Sequence, residues 1–333
     1  MYSATWNLES GRSIDLRYRG VSSMEDHKHR SLELKGYLFA LGSTAIWSGN
    51  FIIARGLNQS ISPISLAFWR WLLASIVILP FAAKHIQNDW QAIKKNIPYL
   101  TVTSFLAVTL FNTLIYFAGR STTAINLSLI SITFPIFIVV MSRIFFHDPI
   151  TFRKTLGIIL VAAGIIYLIT KGEPEKVLDI KLAAGDLLML IAALTFATYS
   201  ILLKRKPASL GIWSFQASTF IMGTVFLTPW FIMDRLSRPA LPMSVGIALA
   251  ILYVGILASL VAFFMWSKAV ETLGPSKAGM LYYTLPLFSG LWSFLFLGEM
   301  IGYMHLISIL LIIPGILIAN SKSKVLKPIE KKP

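Results

Sequence analysis

Between Tyr37 and Ser321 the chain is cut into ten apolar stretches, and Arg70 is the one fixed charge set well inside any of them. A helix needs roughly 20 apolar residues to cross a hydrocarbon core of about 30 Å, because every backbone N–H and C=O there must be satisfied without water. The stretches are 37–54, 64–83, 97–119, 121–142, 155–170, 187–203, 212–233, 242–267, 278–298 and 300–321. Hydrophobic residues make up 56% of the chain and charged residues 14%, where soluble domains carry about a quarter charged. The expected fold is an all-α polytopic membrane protein with ten transmembrane helices.

A net charge of +15 would suggest a nucleic-acid partner in a soluble protein, but here the basic residues fall in alternate loops. With the N-terminus inside, Lys84, Lys94, Lys95, Arg143, Arg153, Lys154, Lys204, Arg205, Lys206, Lys268, Lys277 and both basic tails lie on one side. The other side keeps Arg55, Arg120, Lys171, Lys176, Lys181, Arg235 and Arg238. Positive charge accumulates on cytoplasmic loops, so both termini are expected in the cytoplasm, and no nucleic-acid partner is expected. The absence of cysteine removes disulfide and thiolate chemistry. Residues 1–35 are polar and lack the apolar centre of a signal peptide. They read as a disordered cytoplasmic tail, with Met24 an alternative start.

Sliding the chain on itself reveals a duplication. At an offset of 151, Ala118 falls on Ala269, Thr133-Phe134-Pro135-Ile136-Phe137 on Thr284-Leu285-Pro286-Leu287-Phe288, Asp148 on Glu299, Ile150 on Ile301 and Gly164 on Gly315. Nearer the start an offset of 149 puts Gly36 on Gly185, Trp47 on Phe196, Asn50 on Tyr199, Arg55 on Lys204 and Pro80 on Pro229. Chance similarity among apolar helices matches aliphatics, not prolines, acids and glycines in one register. Five spans per copy is an odd number, so the second copy starts on the opposite side of the membrane. Inverted repeats around a central site are the architecture of alternating access.

In their order and spacing, Gly36, Trp47, Pro63, Arg70, Pro80, Ala118, Pro135, Asp148, Gly157 and Gly164, then Gly185, Pro229, Ala269, Pro286, Glu299 and Gly315, resemble the EamA-like branch of the drug/metabolite transporter superfamily. The resemblance covers about residues 36–319. It implies ten helices in two inverted five-helix repeats and transport of small metabolites such as amino acids, often as export. Copy two departs from the pattern at Thr219, Phe196 and Ser308, which stand where arginine, tryptophan and glycine are expected. Charged recognition is therefore expected to be lopsided, towards copy one. The division expected is a tail at 1–35, a first repeat at 36–170, an external linker at 171–182, a second repeat at 183–320 and a basic cytoplasmic tail at 321–333.

The candidate substrate pathway comprises Trp47, Asn50, Arg70, Asn112, Tyr116, Asn126, Tyr199, Gln216, Trp266, Tyr282 and Tyr283. Rings with polar edges and a few amides suit a neutral or zwitterionic organic solute; Trp69 and Trp292 are further candidates within spans, for which an interfacial-belt or core role is the favoured reading. Trp47 and Asn50 lie three residues apart on one helix face and pair through the repeat with Phe196 and Tyr199. Arg70 lies roughly 10 Å from the outer end of its span. Its guanidinium suits a substrate carboxylate, and it equally suits a scaffold or gating role, which the resemblance favours because it places arginine there whatever the substrate.

Pro135 and Pro286 are expected to kink their helices. No span contains an acid. Asp148 and Glu299 sit at equivalent turns, where an acid can cap a helix N-terminus, and His305 reads as a packing residue. Facilitated diffusion or exchange is therefore preferred over proton coupling. No HExxH, GxSxG or P-loop occurs, so neither an enzyme nor a cofactor or metal is expected. The expected protein is a metabolite exporter or exchanger in the bacterial inner membrane, monomeric or homodimeric, whose partners are a small organic solute and membrane lipid. The competing readings are a lipid flippase and a structural membrane protein.

Overall fold

The computed structural model describes residues 31–50, 53, 60–121, 130–131, 133–170, 172–179, 183–237, 244–297 and 302–321. Helix α1 covers 31–50, α2 Pro63–Asn88, α3 Trp90–Lys95 and α4 Ile97–Ser121. Next come α5 at Thr133–Phe146, α6 at Phe152–Ile169 and a 3₁₀ turn at Pro174–Asp179. Helices α7 at Ala184–Lys204, α8 at Ile212–Leu236 and α9 at Val245–Leu273 follow. The last elements are α10 at Pro275–Leu281, a 3₁₀ turn at Tyr282–Thr284, α11 at Leu285–Leu297 and α12 at Tyr303–Asn320. Six of these, α2, α4, α7, α8, α9 and α12, are long and apolar enough to cross a membrane, and α5 is a shorter apolar helix. Large apolar side chains such as Val245, Leu249, Leu310 and Leu317 point outward, as they do where lipid is the solvent.

Local chemistry sets the helix ends. Ser62 Oγ accepts from the Ser65 N–H at 3.0 Å, and Pro63, which has no N–H to satisfy, opens α2. At α6 the cap is Thr151, accepting from Lys154 N at 3.2 Å. Asp148, expected there, instead lies in the preceding loop, where its own N–H bonds Ser142 O. The hydroxyl three residues before Lys154 has the reach that the acid lacks. Glu299, Arg55 and Asn126 lie outside the described residues. The Asp186 carboxylate accepts from Ala183 N at 2.6 Å before α7, and His305 Nδ1 accepts from Gly302 N at 3.2 Å before α12.

The two copies interlock. Helix α2 packs on α8, its equivalent in the second copy, and α6 packs on its equivalent α12. A Cβ on Gly315 would stand 2.8 Å from Gly157 O, and one on Gly164 would stand 3.1 Å from Ser308 O. At the offset of 151, Gly157 corresponds to Ser308 and Gly164 to Gly315. These are thus one contact seen twice, and the two helices run antiparallel about a local twofold. The α2–α8 pair has its own axis residue: Ser75 Oγ lies 3.2 Å from Thr224 Oγ1, and the two are equivalent at the offset of 149. The remaining helices exchange partners. Gly36, Gly42 and Gly49 of α1 abut Leu273, Met265 and Tyr253 of α9, and α7 lies along α4.

Candidate functional site

Two short π-helical segments flank the centre, Phe105–Leu110 within α4 and Tyr253–Val261 within α9. A π-turn widens the ladder and turns carbonyls towards side chains. The segments are related by the repeat, since Ala107 corresponds to Ala258 at the offset of 151. Ala258 O accepts from both Trp47 Nε1 and Arg70 Nη2, each at 2.9 Å.

Arg70 is fully buried. Its Nη1 donates to Asn50 Oδ1 at 3.1 Å and to Tyr116 Oη at 2.9 Å, and its Nε donates to Ser259 Oγ. Tyr116 also donates to Asn50 Oδ1 at 3.4 Å. One guanidinium therefore joins α1, α2, α4 and α9 through neutral acceptors, and its carbon stands 5.1 Å from the Trp71 ring centroid. The partner that sequence left unnamed is a cage of carbonyl, hydroxyl and amide groups.

Below this cage lies an aromatic cluster. Trp47 meets Phe196, its counterpart through the repeat, edge-on with centroids 5.3 Å apart, and Phe263 and Trp266 each at 5.5 Å. Tyr282 lies 6.3 Å from Trp47 and 4.4 Å from Phe134. Phe111 stacks on Phe196 at 4.4 Å. Such edge-to-face and offset pairs add to the burial of large rings, so the junction of the halves is a packed plug. Trp266 Nε1 donates to Ser200 Oγ at 3.1 Å.

Of the pathway residues expected from sequence, Trp47, Asn50, Arg70 and Tyr116 meet around Ala258 O and its cage. Trp266 and Tyr282 join the rings. Asn112 is buried, with Nδ2 3.5 Å from Ala107 O, and Tyr283 is buried within the 3₁₀ turn before Pro286. Pro135 lies in the first turn of α5. Trp69 stands against Phe231 at 5.7 Å, and Trp292 Nε1 donates to Ala45 O at 3.0 Å. Gln216 donates to Phe263 O at 2.9 Å and Ser267 Oγ at 2.7 Å, near Tyr199.

Sequence reasoning missed Ser259, Phe263, Ser267 and the Ala258 carbonyl. The first three carry no signal apart from the fold, whereas the Ala107–Ala258 match is visible in the repeat. A cavity of about 320 Å³ opens between α7, α8 and α9, lined by Leu203, Lys204, Lys206, Ile212, Ser267 and Glu271. Burial draws the Lys206 ammonium below its ordinary pKa, with Glu271 opposing, and Lys206 Nζ donates to Leu210 O at 2.5 Å.

A helical bundle doubled about local twofold axes, apolar outside and with a buried guanidinium cage where the copies meet, has the build of a membrane carrier. The sequence profile of the EamA-like transporter family matches it twice, at residues 34–170 and 183–321. The chain belongs to that family and is an integral membrane transporter. It is similar to an uncharacterized transporter of Archaeoglobus fulgidus, at 27% identity over 86% of this chain and 98% of that one. It also resembles the uncharacterized transporter YyaM of Bacillus subtilis, at 25% over 87% and 95%, and protein PecM of Dickeya dadantii, at 23% over 88% and 96%. A solved crystal structure shares the fold with a TM-score of 0.68 at 16% identity, covering 85% of this chain and 96% of that one.

Proposed function

We propose that the chain carries a small organic solute outward across the bacterial inner membrane by alternating access, with ten transmembrane helices in two inverted repeats and both termini cytoplasmic. The observation that carries this reading is the meeting of Trp47 and Phe196, repeat-related residues, in a ring plug between the halves. A plug built from both copies can be opened towards either side by rocking one half against the other. The cavity beside Lys204 and Lys206 lies on the basic, cytoplasmic side of the topology and supports loading from within. Without an acid in the expected spans, exchange or facilitated diffusion fits better than proton coupling.

The test is counterflow in proteoliposomes. A radiolabelled solute, chosen from amino acids, nucleosides and sugars by its stabilisation of purified protein, should accumulate against preloaded unlabelled solute with saturable kinetics. Failure of every stabilising solute to exchange would overturn the reading. Trp47→Phe should slow exchange while the protein still elutes as a folded species.

A further inference from the structure

In the second half, the counterparts of Asn50 and Arg70 carry hydroxyls that the cage's hydrogen bonds do not reach. Through the repeat Asn50 corresponds to Tyr199 and Arg70 to Thr219, and the offset of 151 sets Tyr116 on Ser267. The first-half set is closed by hydrogen bonds. In the second half, Tyr199 Oη, Gln216 Oε1 and Thr219 Oγ1 have no hydrogen-bond partner among the described residues, although all three residues are fully buried. Buried polar atoms are nearly always paired, and three unpaired ones, two of them on residues beside Ser267 and the third one turn along α8 from Gln216, call for a ligand.

Gln216 fixes the chemistry. Its Nε2 donates to the Phe263 carbonyl and to Ser267. A flipped amide would set oxygen against oxygen at Phe263, so Oε1 faces away as an acceptor with no donor. Thr219 stands three residues further along the same face of α8. Thr224 and Thr228 bond back to the carbonyls of Phe220 and Thr224 at 2.8 and 2.9 Å, whereas the Thr219 hydroxyl makes no such bond. Tyr199 lies beside Ser267, whose Oγ already accepts from Gln216 Nε2. Ser267, which bonds Gln216, also lines the 320 Å³ cavity, so the cluster sits one side chain behind an opening.

We propose that Tyr199, Gln216 and Thr219 form a solute subsite for an uncharged group that both donates and accepts hydrogen bonds, a primary amide or a hydroxyl, reached from the Lys204 and Lys206 mouth past Ser267. Gln216 Oε1 demands a donor, which a carboxylate lacks. The three unpaired atoms are amide and hydroxyl oxygens without a carboxylate, and the fixed charge in the other half is the Arg70 cation, so an ammonium would be buried uncompensated. The subsite rests on the transport reading for its biological role.

Three probes sharing a phenyl body test it: 3-phenylpropanamide, 3-phenylpropionate and 3-phenylpropylamine, titrated against the thermal midpoint of the detergent-purified chain. The amide alone should raise the midpoint. Tyr199→Phe and Thr219→Val should each weaken its apparent Kd about tenfold. Their ligand-free midpoints should hold or rise, because each removes an unpaired hydroxyl and keeps the volume. No response to the amide, an equal response to the anion or amine, or an unchanged response in both variants overturns the subsite. Counterflow separates this from transport. Amide binding that obeys these rules with no exchange of any solute overturns transport and leaves the subsite; exchange indifferent to both substitutions overturns the subsite and leaves transport.

Discussion

At the scale of the residue, Arg70 sets two effects against each other. Removing a buried charge held only by neutral groups relieves desolvation, but it takes one donor each from Asn50 Oδ1 and Ser259 Oγ, which keep Tyr116 Oη and Val254 O as partners, and it releases four helices from one another. A hydrogen bond to a charged group contributes about 1.5–3 kcal/mol, and Ala258 O keeps its bond from Trp47. The net expected for Arg70→Met is a loss of about 2 kcal/mol, read as a lower thermal midpoint. Arg70→Lys should fall nearly as far, since one ammonium cannot hold acceptors set out for a planar fork. A midpoint equal to wild type in both would show that the cage does not cross-link the bundle. Trp47→Ala would empty a fully packed ring site at about 3–5 kcal/mol and confuse flux with folding. Trp47→Phe keeps a ring against Phe196 and removes only the bond to Ala258.

Between elements, the α2–α8 pair is stapled at both ends by repeat-related means. Asp89, just past α2, accepts from Gly211 N at 2.9 Å and Ser214 Oγ at 2.6 Å at the start of α8. Asp234, near the end of α8, accepts from Ser65 Oγ at 2.8 Å and from Ser62 Oγ at the start of α2. Each helix start is thus held by an acid from its partner's end, as the macrodipole favours. The Ser214 hydroxyl, and after it the Gly211 N–H, lower the Asp89 pKa below its ordinary 3.8. A lowered carboxylate pKa contributes stability above the unfolded value and loses it as pH falls through the folded one. Asp89→Ala should therefore cost about 1 kcal/mol at neutral pH, and the gap from wild type should close only below pH 3.8. A gap that persists under acid would mean that the staple is packing rather than charge. At the α6–α12 crossing, Gly157→Val drives a side chain into the Gly315 carbonyl and should cost about 3 kcal/mol or more. Ser308→Gly, which restores the residue of the first copy, should cost only about 0.5–1 kcal/mol. Melting curves of the two variants check the contrast.

Across the whole molecule, the features legible in sequence are those set by solvent and by symmetry. The apolar stretches follow from the bilayer's demand for satisfied backbone, and the duplication from residues such as Pro135 and Pro286 that chance does not align. The pairing of Trp47 with Phe196 was legible for the same reason. What stayed hidden depends on backbone geometry that no side chain announces: the π-helical segment that turns Ala258 O towards Arg70 leaves no mark in the residues of α9, and Ser259 gains its role only from that turn. Orientation is the remaining whole-molecule claim. Because the chain holds no cysteine, single substitutions report it without background. Ala208→Cys, at the cavity mouth, should react with a membrane-impermeant maleimide only after cells are permeabilised, whereas Ser237→Cys, just past α8, should react in intact cells. The reverse pattern would invert the topology and turn the cavity's role from loading to release. Equal labelling of both in intact cells would put the two ends of α8 on one side and overturn its crossing of the membrane, on which two-sided access depends.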